Sequence, residues 1–174
     1  QLNADGLHLR ITRSLDTAKT YLRDRYNGDR LARFGLIASS KDRDLVNFGV
    51  KNDFQATKRV KYGPWYGDDE HDYAGHSCRK LATCITEFGA QGLELNASLL
   101  AWGTDLVRAN GIWSNGRARG YKKGAKVKDP FQLRVNAYRV LLTRGRDATV
   151  VFVPQMTELD ETYQYLRDAG MIAL

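Results

Sequence analysis

Two stretches of this chain carry residue types at spacings that suit phosphate chemistry. The first, Thr86-Glu87-Phe88-Gly89-Ala90-Gln91-Gly92-Leu93-Glu94-Leu95, sets a polar loop with a glycine and a carboxylate between two apolar β-type runs, residues 82–85 and 95–102. A loop of this kind offers backbone N–H groups to phosphate and a carboxylate to a ribose hydroxyl. The second, Asn136-Ala137-Tyr138-Arg139-Val140-Leu141-Leu142-Thr143-Arg144-Gly145-Arg146, puts an arginine at the end of an apolar helix, just before another strand. A positioned arginine suits the charge that develops on a transferring phosphoryl group.

The elements that must position these residues are legible in outline. Leu7, Leu9 and Ile11 alternate with polar neighbours and predict a half-exposed strand. Ser14 predicts a helix cap, with Leu15, Ala18, Leu22 and Tyr26 on one helical face and Asn27-Gly28 as the stop. Residues 34–38 read as a short apolar strand, 41–48 as a short helix, 52–74 as a long loop and 77–81 as one helical turn. Strands are expected around residues 81–86 and 97–102, on either side of the Gln-Gly-x-Glu loop. Asp129-Pro130 starts a helix running to about Thr143, residues 149–154 form a buried strand, Thr157-x-x-Asp160 resembles a capping box, and Gly170 ends the last helix. Strands alternating with helices predict an α/β fold with a mostly parallel sheet, as one domain without internal repeats.

Composition narrows the partners. At 43% hydrophobic residues, the 174-residue chain has enough apolar material for a folded core. No apolar run has the length of a membrane span, so no membrane partner is expected. Cys78 and Cys84 make no disulfide framework and read as two reduced thiols of a cytoplasmic protein. The net charge of +7 is local: Arg108, Arg117, Arg119, Lys122, Lys123, Lys126 and Lys128 lie in one acid-free segment, and the rest of the chain carries 20 basic and 20 acidic residues. Residues 103–129 therefore read as a basic insertion, a hairpin by its glycines, with an anionic partner. Trp113 and Tyr121 among these cations suit single-stranded nucleic acid, where phosphates meet charge and bases stack. The acidic run Asp68-Asp69-Glu70-His71-Asp72, with His76 and Cys78 nearby, matches no zinc or calcium spacing and reads as a solvated loop.

The paired motifs resemble two motifs of superfamily 1 helicases, in their second RecA-like domain. One is the pattern Thr-x-x-x-x-Gln/Lys-Gly-x-Glu, and the other ends in Leu-Thr-Arg-Ala-Arg. Over roughly residues 7–171 the chain is similar to bacterial helicase-like ATPases grouped with Schlafen-type ATPases. They share its order, with a tryptophan-bearing strand after Gly-Leu-Glu-Leu and a Tyr-x-Tyr-Leu helix near the end. Phe88 stands where many members have histidine, and Asn96 where close relatives often have aspartate.

The resemblance implies roles. Arg144 would be an arginine finger reaching the γ-phosphate of ATP, and Arg43 a second arginine approaching it. Gln91, Gly92 and Glu94 would line the nucleotide, and Thr86 would touch a nucleic-acid phosphate. The chain has no Gly-x-x-x-x-Gly-Lys-Ser/Thr sequence and no apolar strand ending in Asp-Glu. ATP and Mg²⁺ would then be held mainly by an N-terminal RecA-like domain of the same protein, of which this chain would be a C-terminal fragment. The expected partners are that domain and single-stranded DNA or RNA. A non-catalytic nucleic-acid-binding domain of the same shape, and an ATPase switch that unwinds nothing, remain open beside a helicase or translocase.

Overall fold

A computed structural model describes residues 6–69, 76–121 and 125–174. Six strands form its frame: β1 (His8–Thr12), β2 (Phe34–Ala38), β3 (Cys84–Thr86), β4 (Leu95–Ala101), β7 (Gly145–Phe152) and β8 (Ile172–Ala173). They make one sheet in the order β3-β2-β4-β7-β1-β8, with every neighbouring pair parallel. Helices α1 (Leu15–Arg25), α2 (Phe54–Thr57), α3 (Tyr62–Gly67), α4 (Glu87–Ala90), α5 (Pro130–Leu142) and α6 (Asp160–Asp168) lie in the connections. A separate antiparallel hairpin, β5 (Val107–Ala109) and β6 (Ile112–Ser114), fills the start of the basic insertion. This is the expected α/β arrangement, and no helix among the described residues is long and apolar enough to cross a membrane.

Period-two alternation builds the two cores. Ile11, Ile37, Leu100 and Val151 share one register row and pack in the core that includes Tyr138 and Leu141 of α5. One residue earlier, Leu36, Leu99 and Val150 pack with Ala18 and Leu22 of α1. Central strands buried on both faces are continuous apolar runs, which is why residues 34–38 and 97–102 stand out in the sequence. The caps follow expectation at two helices: Ser14 accepts the Thr17 N–H, and Asp129 accepts the Gln132 N–H ahead of Pro130.

Three expectations need correction. The stretch read as a long loop contains α2 and α3, and Trp65 of α3 is fully buried. Tertiary packing fixes these short helices: Trp65 fills the space above Gly35 of β2, where a Cβ would lie 2.5 Å from the indole ring. The short helix expected at 41–48 is reduced to a 3₁₀ turn, Leu45–Phe48, because the Asp42 carboxylate takes the Asp44 and Leu45 N–H groups. Thr157 caps nothing; a 3₁₀ turn, Thr157–Leu159, leads into α6, and Asp160 pairs with Arg13 at 2.6 Å. The edge strand β8, only two residues long, had no signal of its own.

Both cysteines are buried and unpaired. Burial pushes the Cys78 thiol up to about 11 and raises that of Cys84 further. Since the thiolate is the reactive form, neither should react with a disulfide reagent in mildly alkaline buffer while the chain is folded. A thiol titration should read essentially no thiols in the native state and both in guanidinium. Fast labelling of the native chain would contradict the packing of β3 against β2.

Candidate nucleotide and nucleic-acid sites

In a parallel sheet all strands start at one edge and end at the other; the first motif runs from Thr86 at the finishing edge to Leu95 at the starting edge, where it meets the second. At the starting edge, the loop before β4 meets the residue before β7. The Arg144 guanidinium donates to the Leu93 carbonyl at 3.2 Å and the Ala90 carbonyl at 3.4 Å, bracketing Gln91 and Gly92. Its Nε donates to Val140 O of α5 at 2.9 Å, and its own carbonyl accepts the Leu95 N–H at 2.9 Å. The two motifs are thus one structural unit. Gly92 has φ +78°, a left-handed conformation that a side chain would strain, and open space around it. Gln91 and Glu94 are exposed beside it, and the Glu94 carbonyl accepts the Tyr66 hydroxyl at 2.9 Å. Arg146 points elsewhere, pairing with Asp147 at 3.0 Å.

Asn96, the second residue of β4, is held on both sides of its amide. Its carbonyl accepts the Arg33 N–H at 2.8 Å while its amide donates to Asp147 at 3.2 Å. A carboxylate here would lose that donor and face a second carboxylate.

The finishing edge of the sheet holds a buried polar network. Ser39 follows β2, Glu87 follows β3 and Asp105 lies just beyond β4; Arg134 and Tyr138, one turn apart on α5, reach down to them. Arg134 pairs with Glu87 at 3.0 Å and Asp105 at 3.2 Å and also bonds Ser39, while Tyr138 donates to Asp105 at 2.7 Å. Glu87 also accepts the N–H and hydroxyl of Ser40 at 2.8 and 2.9 Å. Burial raises the Asp105 carboxyl above the ordinary carboxylate range, against the Ser39 and Tyr138 hydrogen bonds that pull it down. Burial likewise raises Tyr138, helped by Asp105. For Arg134, burial works against the charge, but Glu87 and then Asp105 outweigh it and the pKa rises. None of these five stands out as functional in the sequence. The available signal is positional: three polar residues each close behind an apolar strand, and an Arg-x-x-x-Tyr pair on a capped helix.

The other predicted residues divide. Thr86, the last residue of β3, is largely buried and lines the finishing edge with Arg119, whose N–H donates to Lys41 O at 2.8 Å. Arg43 sits at this same edge, exposed, 3.5 Å from the Ala118 carbonyl. It is therefore separated from Arg144 by the length of the strands, roughly 17–23 Å at about 3.3 Å per residue. The fold thus sets the two arginines at opposite edges of the sheet. Arg117 is engaged by carboxylates, Glu158 at 2.8 Å and Asp44 at 3.3 Å. Trp113 is spent on packing: its ring lies 5.9 Å from Trp102 and edge-on to Tyr165 at 5.4 Å, which fastens the hairpin to α6. Lys126 is exposed ahead of α5, and Lys122 and Lys123 lie outside the described residues. Of the acidic run, Asp69 takes Arg30 at 2.8 Å, and Glu70, His71 and Asp72 also lie outside them.

α5 joins the two edges. Its first turns carry Arg134 and its end delivers Arg144, over a span of ~20 Å at ~1.5 Å per residue. A family model described as Schlafen group 3, DNA/RNA helicase domain, matches residues 1–155. No curated protein matches the chain.

Proposed function

The chain belongs to the Schlafen group 3 family of DNA/RNA helicase domains, and from that premise we propose that it is the second motor domain of an ATP-dependent helicase or translocase. The observation that carries this reading is the placement of Arg144 around the Gln91-Gly92 loop, held by neutral carbonyls at 3.2 and 3.4 Å. A guanidinium so held exchanges readily, because charge-assisted bonds to phosphate oxygens are roughly twice as strong as bonds to neutral acceptors. The Gly92 N–H and the Glu94 carboxylate stand at the same edge to meet the rest of a nucleotide. The phosphate-cradling loop and the magnesium carboxylate would come from a partner RecA-like domain, since these 174 residues contain neither sequence. Nucleic acid would lie at the opposite edge, over Thr86. Closing on ATP and reopening after hydrolysis would move the two domains along the strand.

The isolated chain should therefore show no ATP turnover, with or without single-stranded nucleic acid. A phosphate-release assay checks this against the complete protein under the same conditions. Strand-stimulated turnover by this chain alone would place a whole active site within it and end the shared-site reading.

A further inference from the structure

The finishing edge of the sheet carries a groove that the Arg144 site does not use. Its volume is about 400 Å³, and Thr86, Phe54, Phe88, Tyr121, Lys41 and Arg119 are among the residues lining it. Two phenyl rings are left in water on its walls, Phe54 at 72% exposure and Phe88 at 66%. Leaving two large rings in one groove forfeits apolar burial that elsewhere stabilises a fold. Phe88 is not loosely held. Its neighbour Glu87 is fixed by Arg134 and Ser40, and Gly89 lies so close under Tyr62 that a Cβ would sit 2.5 Å from that ring. Phe88 and Tyr121 also line an adjoining hollow of about 330 Å³, walled by Leu133, Ala137 and Val140 of α5.

The charge around these rings is positive. Lys41 lies 4.1 Å over the Tyr121 ring and donates to Gly120 O at 3.1 Å; Lys58 lies 5.5 Å over the Phe54 ring. Among the described residues no carboxylate lines the 400 Å³ groove. The nearest acids are committed: Glu87 to Arg134 and Ser40, and Asp53 to the Gln55 and Ala56 N–H groups at the start of α2.

We propose that this groove is a base-stacking channel for single-stranded nucleic acid, with Phe54 and Phe88 receiving base faces and Lys41 and Arg119 receiving phosphates. It rests on the reading that this edge of the sheet meets nucleic acid, and adds to it which residues hold the strand and in which form. Rings need free base faces, which a duplex hides within its stack, so the channel selects unpaired strands. Stacking tolerates every base, so it carries no sequence preference.

The test is fluorescence anisotropy of the whole chain with labelled oligothymidylate and oligouridylate of about 12 nucleotides, and with an abasic strand of equal length. Phe88→Ala and Phe54→Ala should each raise Kd for the base-bearing strands by about 5- to 100-fold and leave the abasic strand unaffected. Phe88→Trp should restore binding. Lys41→Ala and Arg119→Ala should weaken all three strands and flatten the salt dependence, by about 0.7 in log–log slope for each phosphate that is no longer neutralised. The two phenylalanines are exposed and on different elements, so at least one variant is expected to fold as the parent does, checked by its melting curve. Undiminished binding by both alanine variants would overturn the channel and leave the nucleic-acid reading standing on other residues. Equal affinity for duplex, or no binding of any strand by the parent chain, would also overturn it, whatever becomes of Arg144.

Discussion

Replacing Arg144 by alanine in the complete protein is expected to lower ATP turnover by roughly 10³-fold or more, with nucleotide affinity changed far less. The asymmetry follows from where the charge appears. A finger arginine gains most as negative charge builds on the transferring phosphoryl group, and less from the ground-state triphosphate. The substitution also removes bonds to Val140, Ala90 and Leu93 carbonyls. At about 1 kcal/mol for a typical net bond, a modest loss of stability should accompany it, so turnover is to be compared below both melting transitions. Arg146→Ala is the neighbouring control. Arg146 is exposed and paired with the adjacent Asp147, and its loss should leave turnover within a few-fold of the parent. Arg43→Ala belongs with that control, since it lies at the other edge of the sheet; a matching loss of turnover there would show that the nucleotide is reached from the finishing edge. Near-normal turnover by folded Arg144→Ala would remove the arginine-finger assignment.

The largest effect on stability is expected from Arg134. Arg134 is 3% exposed, and its guanidinium stands between two buried carboxylates. Removing one partner of a buried ion pair costs about 3–5 kcal/mol, because the charge left behind has lost both water and its counterion. At ~2–4 °C per kcal/mol for a chain of this size, Arg134→Ala should melt roughly 6–20 °C below the parent. The pH dependence has a definite sign. Asp105 has a folded-state pKa above its ordinary value, so its contribution to stability is present at low pH and lost as pH rises through the raised value. Without the cation, this upward shift grows. The deficit of Arg134→Ala should therefore be largest at neutral pH and shrink in mildly acidic buffer, as the stranded Asp105 carboxyl takes up a proton. A combined Arg134→Met, Glu87→Gln, Asp105→Asn variant should recover much of the loss at neutral pH, since no charge is then left buried. Thermal melts across pH decide it, and a pH-independent deficit would assign the cost to packing alone.

The same network joins the two edges of the sheet. Glu87 follows Thr86 at the proposed strand-binding edge, and Arg134 ties Glu87 to α5, which ends at Leu142, two residues before Arg144.

Sequence alone determined the features that depend on neighbours in the chain. Period-two and continuous apolar runs set β1, β2, β4 and β7, and Ser14, Asp129-Pro130 and Gly170 set helix limits, because alternation, caps and left-handed stops are local physics. The motif pair at Thr86–Leu95 and Asn136–Arg146 was legible for the same reason: each is a contiguous stretch. Tertiary structure decided what depends on distance across the fold. It joined Arg144 to the loop 54 and 51 residues upstream at Ala90 and Leu93, and it set Arg43 at the far edge, since parallel strands send their starts and ends to opposite sides. It turned Trp113 inward and Arg117 onto two carboxylates, where hydrophobic burial and ion pairing outcompete display to solvent. It gathered Ser39, Glu87, Asp105, Arg134 and Tyr138 into one buried network, although no two of them but Arg134 and Tyr138 are near in sequence. Composition and spacing record which groups a chain owns; only the packing of distant elements fixes which of them lose their water and must satisfy one another.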